Sequence, residues 1–181
     1  MAVWPLCLSF FLLFALDASE AAPLTGTGDG TCPLVRQATC ETESGWSAYE
    51  GRCFRFFNFQ RSWIDAEKQC LGYDGNLASV HSYDEYTFIQ DLIKSQTQAS
   101  TLSWIGGYDA VSEGNWLWSD GSKLNLEIWA PPQPDNWNGV EHCLEMNYHS
   151  LSNWNDQLCH EKRPFVCVKK YTSVYKLHVT F

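Results

Sequence analysis

Cationic residues are scarce in this chain. Twelve Lys+Arg face 21 Asp+Glu in 181 residues, a formal charge of −9. A protein that tracks a phosphate backbone needs a basic surface, so nucleic-acid binding is not expected. There is no Asn-x-Ser/Thr sequon, which argues against N-glycosylation. No His-Glu-x-x-His or Gly-x-Ser-x-Gly pattern occurs, and the five His are scattered. The metalloprotease and α/β-hydrolase classes therefore lack support, and no enzyme is expected. No Cys/His cluster has structural-zinc spacing. Internal repeats and low-complexity runs are missing too. No apolar run reaches the roughly 20 residues that a membrane span requires.

Apolar and aromatic mass is plentiful. Hydrophobic residues make up 45% and charged residues 18%, enough to bury a core rather than remain disordered. Eight of the nine Trp lie between Trp46 and Trp154, which locates the rigid apolar block. Residues 1–22 contain no Lys or Arg, and Leu6 to Leu16 is almost unbroken apolar. Small residues follow at Ala18, Ser19, Ala21 and Ala22. This reads as a secretory signal peptide over 1–21, with an uncleaved anchor as the alternative. The expected location is extracellular. Cleavage removes Cys7 and leaves Cys32, Cys40, Cys53, Cys70, Cys143, Cys159 and Cys167. In a secreted chain these are expected to form disulfides, and the odd number leaves one thiol over.

Residues 22–39, rich in Gly, Thr and Pro, read as a flexible N-terminal arm. A globular domain is expected over 40–170 and a C-terminal extension over 171–181. The extension alternates weakly, so it either continues a strand or hangs free. Arg52 to Phe59 reads as a strand filled with Phe. Ser62 is an N-cap candidate for a helix carrying Trp63, Ala66, Cys70 and Leu71 on one side. Ser82 with Glu85 forms a capping-box pattern before Phe88, Ile89, Leu92 and Ile93. After Ser95 the helical pattern stops, and turn residues and Trp dominate. Short strands are expected at Leu144–Met146, Trp154–Asp156 and Phe165–Val168. Two early helices and late strands imply an α+β fold.

Gln133-Pro134-Asp135, Glu141 and Asn155-Asp156 together offer three carboxylates and two side-chain amides. An oxygen-only set suits a hard cation such as calcium, which takes 6–8 oxygens. Zinc would prefer nitrogen or sulfur. A cis Pro134 would turn Gln133 and Asp135 to the same side.

Trp104-Ile105-Gly106, Gln133-Pro134-Asp135, Glu141, Cys143, Trp154-Asn155-Asp156, Cys159 and Phe165-Val166-Cys167 resemble the pattern of the C-type lectin domain, in order and spacing, over about Cys40 to Lys169. Within that family the chain is similar to small secreted lectins of fish, a group related to the type II antifreeze proteins. The resemblance implies a C-type lectin-like fold with two helices, small antiparallel sheets and a long calcium-binding loop region. It implies disulfides Cys40–Cys53, Cys70–Cys167 and Cys143–Cys159. Cys32 is then left for an interchain disulfide in a homodimer. The alternative is a Cys32–Cys40 pair that frees Cys53.

The same resemblance implies Ca²⁺ held by Gln133, Asp135, Glu141, Asn155 and Asp156, with Gln133, Asp135, Glu141 and Asn155 also meeting sugar hydroxyls. The order amide-Pro-acid goes with galactose in the family, and the reverse order with mannose. Trp137 takes the place of an aromatic that stacks on the galactose ring. The implied function is a secreted, calcium-dependent lectin that binds galactose-containing glycans on cells or microbes and agglutinates cells as a disulfide-linked oligomer. The alternatives are a mannose-type lectin and an ice-binding protein on the same scaffold.

Two departures from the family matter. Only Asn138-Gly139-Val140 fills the gap between Trp137 and Glu141, where strong galactose receptors carry a glycine-rich insertion. An auxiliary calcium place keeps Asp109 and Glu113, but Asn136 and His142 stand where two further acids are usual. That ion is expected to be weak or missing.

Overall fold

A computed structural model describes residues 34–40 and 45–177. The signal peptide expected over 1–21, and Cys32, lie outside the described residues. Ten strands and two helices follow in order: β1 (Leu34–Thr39), β2 (Ser47–Tyr49), β3 (Arg52–Arg61), α1 (Trp63–Leu71), β4 (Asn76–Leu77), α2 (Tyr83–Thr97), β5 (Ser103–Tyr108), β6 (Leu117–Trp118), β7 (Cys143–Tyr148), β8 (Asn153–Gln157), β9 (Arg163–Lys170) and β10 (Thr172–Leu177). The class is α+β.

The larger sheet has the order β2-β3-β9-β5-β7-β8, with β4 added on β9 and β6 on β5. All of its pairings are antiparallel except the short parallel contact of β5 with β9 at Trp104 and Phe165. Its central strands are buried on both faces, as their apolar sequences require. Along β3, Phe54 and Phe56 enter one core cluster while Cys53 and Phe57 enter a second; along β9, Val166 and Val168 alternate in the same way with Phe165 and Cys167. The strand period of two thus feeds two cores. Helix α2 closes the first with Tyr86, Ile89 and Ile93. Helix α1 closes the second with Trp63, Ala66 and Cys70.

Both helix starts lie where capping residues are. The Asp65 N–H donates to Ser62 Oγ at 3.4 Å, and the Glu85 N–H donates to Ser82 Oγ at 3.1 Å. The capping box at Ser82 is modified: Glu85 Oε2 accepts from the His81 N–H at 2.8 Å, one residue beyond the cap. Its other oxygen is taken by Arg52 Nη1 at 2.6 Å, which ties the start of α2 to β3. Leu71 departs from the expected apolar face, since its side chain is exposed at the last turn of α1.

Gly106 and Gly107 have a packing reason. A Cβ on Gly106 would lie 2.7 Å from the Leu77 carbonyl oxygen, and one on Gly107 would lie 2.6 Å from Leu144 Cδ1. Strand β5 can sit between its neighbours only without side chains there.

Residues 34–39, expected as part of a flexible arm, form β1, paired antiparallel with β10 from Leu34↔Leu177 to Thr39↔Thr172. The two strands come from opposite ends of the described chain. No local pattern could mark this pairing, and the extension continues as a strand through Leu177. Disulfides join Cys40–Cys53, Cys70–Cys167 and Cys143–Cys159, the three pairs that the resemblance implies. No helix among the described residues is long and apolar enough to cross a membrane.

Candidate functional site

The site is built where the loop before β7 folds over the end of β8. Strand pairing sets one side. Leu144↔Asp156 and Glu145↔Asn155 are register partners in β7 and β8, so Asn155 and Asp156 are carried on rigid backbone. The other side is the loop of Gln133, Asp135 and Glu141, whose tip is a 3-10 turn over Trp137–Gly139. Asn136, Asn138 and Gly139 all have positive φ, which lets this loop turn tightly. The Gln133–Pro134 peptide is cis.

Backbone donors already grip the acids. The Asp135 and Asn136 N–H groups donate to Asp156 Oδ1 and Oδ2 at 3.2 and 2.7 Å. The Trp137 N–H donates to Glu141 Oε2 at 3.1 Å, and the Glu141 N–H donates to Asn136 Oδ1 at 3.0 Å. Asp135, Glu141 and Asp156 each place a carboxylate oxygen within 4.8 Å of the others. Glu141 and Asp156 are buried, whereas Asp135 is exposed.

Three like charges at this spacing repel. Burial pushes the Glu141 carboxyl above its ordinary range; the Trp137 N–H partly offsets this, and the charges of Asp156, Asp135 and Glu145 push it further up. Burial likewise raises Asp156 against the pull of the Asn136 and Asp135 N–H groups, and the Asp135 charge adds to the rise. Desolvated like charges in one place are what a bound cation would relieve.

The amides complete the oxygen set. Gln133 Oε1 is buried without a hydrogen-bond partner, an acceptor with nothing to accept from. The Asn155 amide is oriented by its Nδ2, which donates to Glu145 Oε1 at 2.9 Å. Its Oδ1 therefore points the other way as an acceptor. Glu145 is itself held by Arg163 Nε at 2.8 Å on Oε2. An orphaned amide oxygen, an oriented amide oxygen and three carboxylates fit a hard, oxygen-seeking cation. The orienting pair Glu145 and Arg163 was missed in the sequence. The signal was a charged residue inside the otherwise apolar run Cys143-Leu144-Glu145-Met146.

Trp137 is 60% exposed, next to Asp135 and Glu141 in the loop. The indole is held out in solvent and takes no part in the core. The residues expected as an auxiliary calcium place are also brought together. Asp109, Glu113 and His142 converge, and Asn136 Nδ2 donates to Glu113 Oε2. The disulfide Cys143–Cys159 ties the start of β7 to the turn after β8.

Comparison with known proteins agrees with this architecture. Residues 59–169 match the family described as Lectin C-type domain. The chain is 43% identical over 136 residues to the galactose-specific lectin nattectin of Thalassophryne nattereri, covering 75% of this chain and 85% of that one. It is 38% identical over 168 residues to lactose-binding lectin l-2 of Anguilla japonica, covering 90% and 92%. Among solved structures, herring type II antifreeze protein superposes with a TM-score of 0.66 at 36% identity, covering 72% of this chain and 98% of that one. With the family matched over more than half its length, this chain belongs to the C-type lectin domain family.

Proposed function

We propose that this chain is a secreted, calcium-dependent lectin of the galactose type. The observation that carries the reading is the convergence of Asp135, Glu141 and Asp156 within 4.8 Å beside the exposed indole of Trp137. The five ligands are Gln133, Asp135, Glu141, Asn155 and Asp156. A bound calcium ion would supply open coordination positions for two neighbouring sugar hydroxyls.

The side chains do the rest. Each hydroxyl can donate to a carboxylate and accept from an amide N–H. Gln133 offers an amide N–H and Asp135 a carboxylate, in that order along the loop, which supports galactose over mannose. Trp137 offers a flat apolar face to the C–H side of the ring. Similarity to the galactose-specific nattectin and to a lactose-binding lectin supports the same choice. Cell agglutination follows if two chains join through Cys32, because linked sites gain avidity.

The test is retention of the mature protein on immobilised lactose. Calcium is expected to retain it, EDTA to release it, and galactose to elute it ahead of mannose. Retention in EDTA would overturn the mechanism. Elution by mannose first would overturn the sugar assignment.

A further inference from the structure

We propose that Asp109, Glu113 and His142 form a second metal site, one that takes zinc rather than calcium. The pairing of β5 with β7 at Tyr108↔Cys143 brings Asp109 and His142 side by side, and the turn after β5 returns Glu113 to them. One ligand atom from each lies within 4.8 Å of the others. His142 Nδ1 is 3.0 Å from Asp109 Oδ1 and 3.6 Å from Glu113 Oε2.

Two anionic oxygens therefore converge on one ring nitrogen. Nδ1 carries at most one proton and lies nearer Asp109, while Glu113 Oε2 accepts from Asn136 Nδ2 and keeps a lone pair for an ion. A dication in the same space meets all three atoms. Asp109 is 1% exposed, and its Oδ2 accepts from the Gly114 N–H at 2.8 Å, which fixes the carboxylate that faces the imidazole. Glu113 is on an exposed turn and can adjust to an ion.

The donor set decides the metal. Two carboxylates and an imidazole leave a fourth position for water, the open three-ligand pattern of zinc. Calcium wants 6–8 oxygens, and the neighbouring Asn136 turns its amide nitrogen rather than its oxygen to this group. Its Nδ2 donates to Glu113, and its Oδ1 accepts from the Glu141 N–H. The histidine that makes this place poor for calcium is what suits it to zinc. The inference does not depend on glycan binding.

The test is calorimetric titration of the mature protein with zinc chloride at saturating calcium, so that the first site is blocked. Wild type is expected to take one zinc ion per chain. His142→Ala is expected to lose at least about a hundredfold in zinc affinity, since even outer-shell changes cost 10–100-fold. Glu113→Gln, on an exposed side chain that leaves the fold intact, is expected to weaken zinc in the same direction. His142→Asp is expected to lose zinc and gain calcium uptake. No zinc uptake by the wild type at calcium saturation would overturn the proposal. So would an unchanged zinc affinity in both His142→Ala and Glu113→Gln, which would put the ion elsewhere.

Discussion

The bond from Asn155 Nδ2 to Glu145 decides which end of that amide remains for a cation. Replacing Glu145 by Ala removes the constraint and leaves Arg163 without this partner. We expect calcium affinity to fall by about 10–100-fold, the usual cost of a lost outer-shell partner. Glu145→Gln keeps an acceptor for Asn155 and should lose less; calcium titration with circular dichroism as a fold check reads both. Trp137 makes a complementary case. Its ring is exposed and its backbone N–H, not its side chain, holds Glu141. Trp137→Ala is therefore expected to weaken galactose by about tenfold, a value in line with aromatic contacts of about 0.5–1.5 kcal/mol. Calcium affinity should stay unchanged, and an equal loss of both would place the indole in the metal site instead.

Among the elements, α2 is fastened at its first turn. Glu85 is buried and serves Arg52, the His81 N–H and the helix start together. Arg52→Ala leaves a buried carboxylate short of its cation, which typically costs about 3–5 kcal/mol. Chemical denaturation is the measurement, and a loss under about 1 kcal/mol would mean the pair behaves as an exposed surface bridge. Strand β5 is limited by its neighbours instead. With Leu144 and the Leu77 carbonyl so near, Gly107→Ala should cost about 1–3 kcal/mol by overpacking.

Over the whole molecule, Cys70–Cys167 closes 97 residues and joins α1 to β9 across the second core. Removing it with paired Ala substitutions should cost about 2–5 kcal/mol. The pH response divides into two windows. Glu141 and Asp156 have raised folded pKa values, so the ion-free fold holds their protons more tightly than the unfolded chain does. Their contribution to stability is present below the ordinary carboxylate range and is lost as pH rises through the raised values. For Asp120, burial raises the carboxyl, but hydrogen bonds from Ser122 and Ser79 outweigh it and the net pKa is lowered. Its contribution is present above the ordinary value and is lost as pH falls through the lowered one. In EDTA, thermal unfolding is therefore expected to show stability falling as pH rises just above the ordinary carboxylate range. Calcium should reverse that slope, because the ion needs both acids ionised. A slope that is the same with and without calcium would exclude the site acids as its source.

Much of this was legible locally. Ser62 and Ser82 mark helix starts because a hydroxyl satisfies backbone donors within three residues. Gln133-Pro134-Asp135 and Asn155-Asp156 stand out as a set of side-chain oxygens because short motifs carry their own chemistry. Two things needed the folded chain. The β1–β10 pair joins segments that are remote in sequence and have no turn between them to read. Glu145 looks like a misplaced charge until strand register sets it opposite Asn155. Asp109, Glu113 and His142 were grouped by the resemblance alone, and the pairing of β5 with β7 is the physical reason they meet. Which atoms are available was readable along the chain, since residue types and short spacings are local. Which distant atoms meet is a matter of the fold, since it depends on long-range strand pairing and on two cores sharing one sheet.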